Sequence, residues 1–302
     1  MKYITPWKST DPTSIYGALY DSDGYLVIDS LRKVTLQGNW KPMDSAALTQ
    51  DQISNAQALE GNYLFLGHAH SMYGHFLLET MPMISCLIRR KNRSGIFLPW
   101  GGKSNFNRNL LDQLLDLTNI SRSRIFIHSE DKYPVKARIK CMSRPLLINR
   151  LNGLLEVDSF KIVLNKIRKK LNLKTNTTTE KIFLNRDESR INPLIRGIAG
   201  GIFASSGFKI INPENYSLKE QIGIFHSAKI IAGYSGSQMH NSIFCQPRTQ
   251  VICLGDRNNK KKMLANQIIC NQISGTNSTN LDYVDNKAEL IKNIENTLES
   301  VS

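Results

Sequence analysis

Residues 229–256 read KIIAGYSGSQMHNSIFCQPRTQVICLGD, and the reading of this stretch decides the fold. Ile230, Ile231 and Ala232 form a short apolar run of the kind that makes a buried parallel strand. The run breaks into Gly233-Tyr234-Ser235-Gly236-Ser237, small and polar residues that let a backbone turn tightly and approach a ligand. From Ser237 the pattern predicts a short helix through Phe244, stopped near Pro247, and residues 251–254 supply a second apolar strand. Strand, small-residue turn, helix start and strand present backbone N–H groups and a positive dipole end to an anion. A βα turn whose glycines serve geometry alone has the same pattern, so the rest of the chain must decide between them.

Working outward, 302 residues suit two domains of about 150 each. No apolar run approaches the ~18–20 residues that span a bilayer, and residues 1–12 lack the apolar core of a signal peptide. Cys86, Cys141, Cys245, Cys253 and Cys270 are odd in number and form no CxxC pair. Most lie in apolar runs, which predicts buried free thiols in a reducing cytosol. The net charge of +14 is concentrated at residues 89–93, 166–170 and 260–262. Such a balance favours polyanions, whether nucleic acid, anionic head groups or phosphorylated substrates.

Residues 1–60 read as an irregular β-rich lead-in, with two strands expected around the turn signal at 21–24. A strand follows at 63–66, a loop at 67–74, and a helix over 75–90 that is apolar nearly all round and interrupted by Pro82. Strand 95–98, helix 105–117 and strand 124–127 continue a β-α-β-α-β order, which points to an open, largely parallel sheet. In the second half the pattern gives a basic helix over 160–173, a polar loop at 174–180 and a strand at 182–184. Helix 194–205, strand 208–211 and helix 218–228 lead back to the opening stretch, with Ser217 and Glu220 fitting a capping box. The expected domains are 1–155 and 156–280, with 281–302 a helical tail packing back on the first. Two successive α/β units of this type bind ligands at the carboxyl ends of their strands.

The loop at 67–74 therefore draws interest, with His68 and His70 in it and His75 just beyond. His75 and Glu79 are four apart and share a helix face. A carboxylate beside an imidazole is what a general base needs, and it is equally what a buried His–Glu packing pair looks like. His68, His70 and His75 as a metal site is the weaker reading, because no carboxylate joins them in register and the spacing lies on a turn. Arg186 and Arg190 end a strand, where two guanidiniums suit a diphosphate or simply pair with Asp187 and Glu188 in solvent.

Taken together and in order, YGHFLLETMP (73–82), KIFLNRDESRIN (181–192), GFKIINPENYSLKEQIGIFHSAKIIAGYSGSQMHNSIF (207–244) and VICL (251–254) resemble glycosyltransferase family 61. The resemblance covers about residues 60–255. It implies the GT-B architecture, α/β throughout, with two Rossmann-like domains facing across a cleft and here a β-rich lead-in. It also implies inverting transfer of a sugar from a nucleotide-sugar donor, with no essential metal and no cofactor beyond that co-substrate. The family's N-terminal histidine falls on His75, which is read with the neighbouring Glu79 as the catalytic pair. The arginine pair falls on Arg186 and Arg190, with Asn192 just after. The glycine-rich loop falls on residues 233–241, so that Ser235, Gly236, Ser237, Gln238 and Asn241 complete the donor site, to which Gln221 is added. Ser235 stands where the family carries histidine, Pro193 where an acidic residue is common, and Cys253 where glutamate is frequent.

The implied function is assembly of bacterial surface polysaccharide, meaning capsule, lipopolysaccharide or exopolysaccharide. The expected partners are a nucleotide-sugar donor and a glycan or lipid-linked glycan acceptor. The protein is expected in the cytoplasm and at the inner face of the cytoplasmic membrane, where basic residues meet anionic lipid. Two other readings remain. A non-catalytic nucleic-acid binder would use the charge, but the basic clusters lack interleaved aromatics and any recognisable module, so no nucleic acid is expected. A pyruvyl-type transferase acting on polysaccharide could use a similar scaffold.

Overall fold

A computed structural model describes residues 1–4, 18–27, 30, 34–36, 39–41, 47–99, 107–128, 134–142, 157–174, 180–185, 191–255, 263–284 and 286–301. The chain divides into two units, Met1–Lys170 and Leu171–Ser302. The boundary expected at residues 155 and 156 lies outside the described residues, and the helix Asp158–Leu171 that follows it counts with the first unit up to Lys170.

The first unit is built on a six-stranded sheet in the order β2-β1-β8-β5-β6-β7. The strands are β1 (Lys2–Ile4), β2 (Leu19–Tyr20), β5 (Gln57–Ala69), β6 (Ser94–Pro99), β7 (Ile125–Ile127) and β8 (Val135–Cys141), while β3 (Val34–Leu36) and β4 (Asn39–Lys41) form a separate antiparallel pair. Strands β8, β5, β6 and β7 are parallel, and β1 and β2 add an antiparallel edge. The chain steps from β5 through β6 to β7 and then returns β8 to the other side of β5. The strand order thus reverses between β5 and β8, the position at which open α/β sheets take ligands. One sheet face carries Ile4, Leu19, Phe65, Ile96, Leu98, Ala137 and Ile139 as a single buried cluster.

Three local features differ from the sequence reading. Strand β5 runs to Ala69 instead of stopping at 66, so His68 lies in the sheet and the loop starts only at His70. Gly67 is the reason: at φ +82° it takes up a register shift, after which His68 pairs with Leu98 and Ala69 with Pro99. Among the described residues of the two-strand turn expected at 16–30, one bridge forms, Tyr20 with Leu26, and β2 pairs with β1. The helix expected over 75–90 is a continuous run of changing pitch. It passes from Tyr73–His75 (α) through a π turn at Phe76–Thr80 and a 3-10 turn at Met81–Ile84 to Ser85–Arg89 (α). Pro82 has no N–H to give an α-type bond and its ring crowds the preceding turn, so the backbone widens before it and tightens at it. The run is buried nearly all round, as its composition predicts.

The second unit is an all-parallel, Rossmann-like sheet in the order β10-β9-β11-β12-β13. Its strands are β9 (Glu180–Leu184), β10 (Lys209–Ile211), β11 (Ala228–Tyr234), β12 (Gln250–Leu254) and β13 (Asn277–Leu281). Here the order reverses between β9 and β11. Helix Pro193–Ser205 starts with Asn192 accepting from the Leu194 N–H at 3.0 Å and Pro193 in its first turn, which suits a helix start. Helix Leu218–Ser227 begins with the predicted capping box, Ser217 and Glu220 bonding reciprocally. On one sheet face Phe183 stacks on Phe203 at 4.7 Å, with Tyr234 edge-on at 6.1 Å, in a cluster with Ile230, Ala232, Ile252 and Leu254. The C-terminal helix Lys287–Val301 buries Leu290 and Ile294 in that same cluster. The tail expected to return to the first domain therefore has its apolar face in the core of the second unit.

On the opposite face, Gly233 lets β11, β9 and the helix after β11 close on one another. A Cβ built there would lie 2.9 Å from Leu184 Cβ and 2.9 Å from Met239 Sδ. None of the five cysteines is in a disulfide, and Cys245, Cys253 and Cys270 are fully buried. Burial pushes the Cys253 thiol up to about 12. Gly233→Ala is expected to lower the urea-unfolding free energy of the protein by about 1–3 kcal/mol, because the added methyl meets Leu184 Cβ and the Leu184 carbonyl oxygen, which are fixed by the strand, and must also displace the Met239 sulfur.

Candidate active site

In the first unit the polar residues gather where β5 ends. The π turn sets His75 and Glu79 side by side, with His75 Nδ1 2.6 Å from Glu79 Oε1. The other carboxylate oxygen, Oε2, lies 3.5 Å from His70 Nε2. The two imidazoles stack at 5.3 Å between ring centres. Glu79 is therefore a bridge between two histidines. The His70 side chain is fully buried, whereas that of His75 is about a third exposed, at 32%. His75 is thus the more accessible of the two imidazoles.

Thr80 locks the backbone beneath this group: its hydroxyl accepts from the His70 N–H at 3.0 Å and donates to the His68 carbonyl at 3.2 Å. The sequence reading did not find Thr80, since a threonine in an apolar helix gives no signal of a partner ten residues upstream. Among the described residues, no three His, Cys, Asp or Glu side chains are arranged to hold a metal ion.

In the second unit the β11 turn sits at the reversal of strand order. Residues 237–244 form a helix as expected, but of 3-10 pitch, with the Met239 N–H bonded to the Gly236 carbonyl. Asn241 Nδ2 donates to the Gln238 carbonyl at 3.1 Å, occupying an acceptor inside the helix. Ser237 is exposed at the helix start and Gln238 half-buried, while Ser235 and Gly236 are buried. The Ser235 N–H donates to the Leu254 carbonyl at 2.7 Å, so the sheet already uses that donor. The N–H groups of Ser237 and Gln238 stand at the first turn, where helical geometry supplies no acceptor. Gln238 Nε2 reaches the Leu184 carbonyl at 3.5 Å, tying the turn to the end of β9.

Besides Ser235 and Gln238, three further predicted donor residues have structural partners. Asn192 caps its helix. Asn241 Nδ2 donates to Gln221 Oε1 at 3.0 Å in the buried interior, and Gln221 Nε2 donates to the Tyr216 carbonyl at 3.0 Å nearer the surface. Arg186 and Arg190, with Asp187 and Glu188, lie outside the described residues, as does the cluster at 260–262. Glu220 is held below the usual carboxylate range, chiefly by the Ser217 hydroxyl, in keeping with its capping role. Tyr234 is raised by burial and by the neighbouring Tyr283.

With this geometry in view, the family profile described as Glycosyltransferase 61 matches residues 73–252. The match opens on the turn that carries His75 and Glu79 and closes on β12. No curated protein matches the chain significantly. Thr80→Val, which keeps the volume and removes both hydrogen bonds, is expected to cost about 1–3 kcal/mol of stability in urea unfolding by leaving the buried His70 N–H without an acceptor.

Proposed function

The chain belongs to the glycosyltransferase 61 family, a membership that implies sugar transfer, and on that premise we propose that it is an inverting transferase that moves a sugar from a nucleotide-sugar to a glycan or lipid-linked glycan acceptor. The observation that carries the proposal is the His75–Glu79 contact of 2.6 Å at the carboxyl end of β5. In the proposed reaction an acceptor hydroxyl attacks the anomeric carbon, a new C–O bond forms, and the bond from that carbon to the nucleotide diphosphate breaks. The hydroxyl proton passes to the His75 imidazole. Donation of Nδ1–H to Glu79 puts the basic lone pair on Nε2, and the carboxylate stabilises the imidazolium that results. One displacement from the face opposite the leaving group inverts the anomeric centre.

The departing diphosphate is assigned to the second unit, at the reversal between β9 and β11. The N–H groups of Ser237 and Gln238 are the proposed donors, with Gly236 allowing the approach. Ser235 and Asn241 shape this turn, Gln221 holds Asn241 in place, and Asn192 is proposed as a further donor contact. Arg186 and Arg190 are proposed to neutralise the leaving charge. The GT-B pairing of the two units around one substrate, independence from metal and a place in surface-polysaccharide synthesis belong to the same proposal. Among the described residues no helix is long and apolar enough to cross a membrane, and contact with the inner membrane face is proposed through surface cations.

A thermal-shift screen against UDP-, GDP-, CMP- and dTDP-sugars tests the donor class. His75→Ala is expected to lose transfer by about 100-fold or more while the nucleotide-sugar still shifts the melting temperature; undiminished turnover removes His75 from the base role. Arg186→Ala and Arg190→Ala are each expected to weaken that thermal shift, and an unchanged shift in both excludes them from the diphosphate site.

A further inference from the structure

Strand β8 is an interior strand, between β1 and β5, and its two faces are unlike. Val135, Ala137 and Ile139 are buried, and Ala137 and Ile139 join the apolar cluster below the sheet. Lys136, Arg138 and Lys140 alternate with them on the other face, Lys136 half-buried and the last two exposed. Interior strands of parallel sheets are ordinarily covered on both faces. Among the described residues this face is covered at its two ends, by the cluster around Tyr3 beside Lys136 and by the packing over Leu64 beside Lys140, and it is exposed between them. The neighbouring stretch of β5 continues the exposed part: Ala58 pairs with Lys136 and Asn62 with Arg138, and both are exposed. Among the described residues no carboxylate pairs with any of the three cations. The Lys136 ammonium lies 5.2 Å from the centre of the Tyr3 ring, which fixes one end of the row.

The row also points somewhere. Lys140 pairs with Leu64, and Leu64 pairs with Gly95, so all three share a face. A Cβ on Gly95 would meet Leu87 Cδ1 at 3.2 Å, which puts the helical run bearing His75 and Glu79 on that same face. Alternate residues of a strand are about 6.7 Å apart, so the three cations span roughly 13 Å. Because β8 and β5 are parallel, the row runs toward the carboxyl end of β5. From Leu64 a further five residues, roughly 16 Å, lead to Ala69 beside the histidine cluster.

We propose that the exposed part of this face of β8 binds an acidic glycan, with Arg138 and Lys140 meeting carboxylates on successive sugar units and Asn62 bonding to hydroxyls between them. The acceptor of the transferase is then an anionic oligosaccharide that lies along the strand with its growing end toward His75. A row of like charges spaced along an extended strand suits an extended polyanion better than a single phosphate. This inference rests on the transferase reading only for the direction of the chain, and binding itself can be measured without turnover.

The test uses the full chain and its Arg138→Thr/Lys140→Thr variant, threonine being well tolerated in strands. Affinity is measured by titration calorimetry for a galacturonic acid tetrasaccharide and for neutral maltotetraose. The wild-type chain is expected to bind the acidic probe, more weakly as salt is raised, and to ignore the neutral one. The variant is expected to bind about fivefold more weakly or worse, with the same thermal midpoint and the same nucleotide-sugar shift as wild type. Lys140→Glu alone is expected to weaken binding in the same direction. Equal affinity of wild type and variants, or no binding of the acidic probe by the wild-type chain, overturns the proposal. So does a loss seen only on phosphatidylglycerol vesicles, which would make the face a lipid contact. Absence of any nucleotide-sugar shift instead strikes at the transferase reading and leaves the glycan result standing by itself.

Discussion

The second unit depends on how closely its central strand can be approached. Strand β11 has β9 on one side and β12 on the other, and at Gly233 it presents bare backbone where Leu184 and Met239 press in. Because nothing projects there, the 3-10 helix can fold directly back over the sheet. That return brings its first turn against the end of β9, and Gln238 meets the Leu184 carbonyl. A bulkier residue would lift the helix and open the reversal point that the sheet has built. The buried amide pair Asn241–Gln221 holds the same helix to its neighbour from the other side. Packing and polar satisfaction thus fix one short turn from two directions.

The first unit reaches a comparable result through irregular backbone. Gly67 carries β5 past its natural end, and Pro82 forces the following helix to change pitch. Between these two positions, Thr80 joins the backbone of residues 68 and 70 to the helix. His75 and Glu79 sit in the widened turn that results. Widened turns of this kind are found often at functional sites because they rotate side chains off the regular helical positions. Here the carboxylate touches two imidazoles, one buried and one accessible, so the buried ring and the threonine act as the frame for the exposed one.

Much of this was legible in the residues. The apolar runs of β6, β9, β11 and β12 announce buried parallel strands, and the serine and glutamate of the capping box mark their helix start. The i,i+4 spacing of His75 and Glu79 was enough to foresee their contact. Strand β8 was not foreseen because every second residue from Lys136 to Lys140 is a cation, which reads as surface unless the buried partners Val135, Ala137 and Ile139 are weighed as one face. Strand β13, with the sequence NSTNL, offers almost no apolar signal and owes its conformation to pairing with β12. The length of β5 and the pitch changes after it depend on a glycine in a left-handed conformation and on neighbours distant in sequence. Such tertiary effects leave no local pattern to read.

The distribution of sulfur has a practical consequence. Nucleophilic attack by cysteine requires the thiolate, and the second unit keeps Cys245, Cys253 and Cys270 all inside, with Cys253 and Cys270 both driven by burial toward the protonated form. Only Cys141, in the first unit, is partly accessible. An alkylating reagent at neutral pH therefore sees the folded protein mainly through one sulfur. Every further adduct records a moment when an interior has come apart, and mass spectrometry of the labelled peptides reports which half of the chain it was.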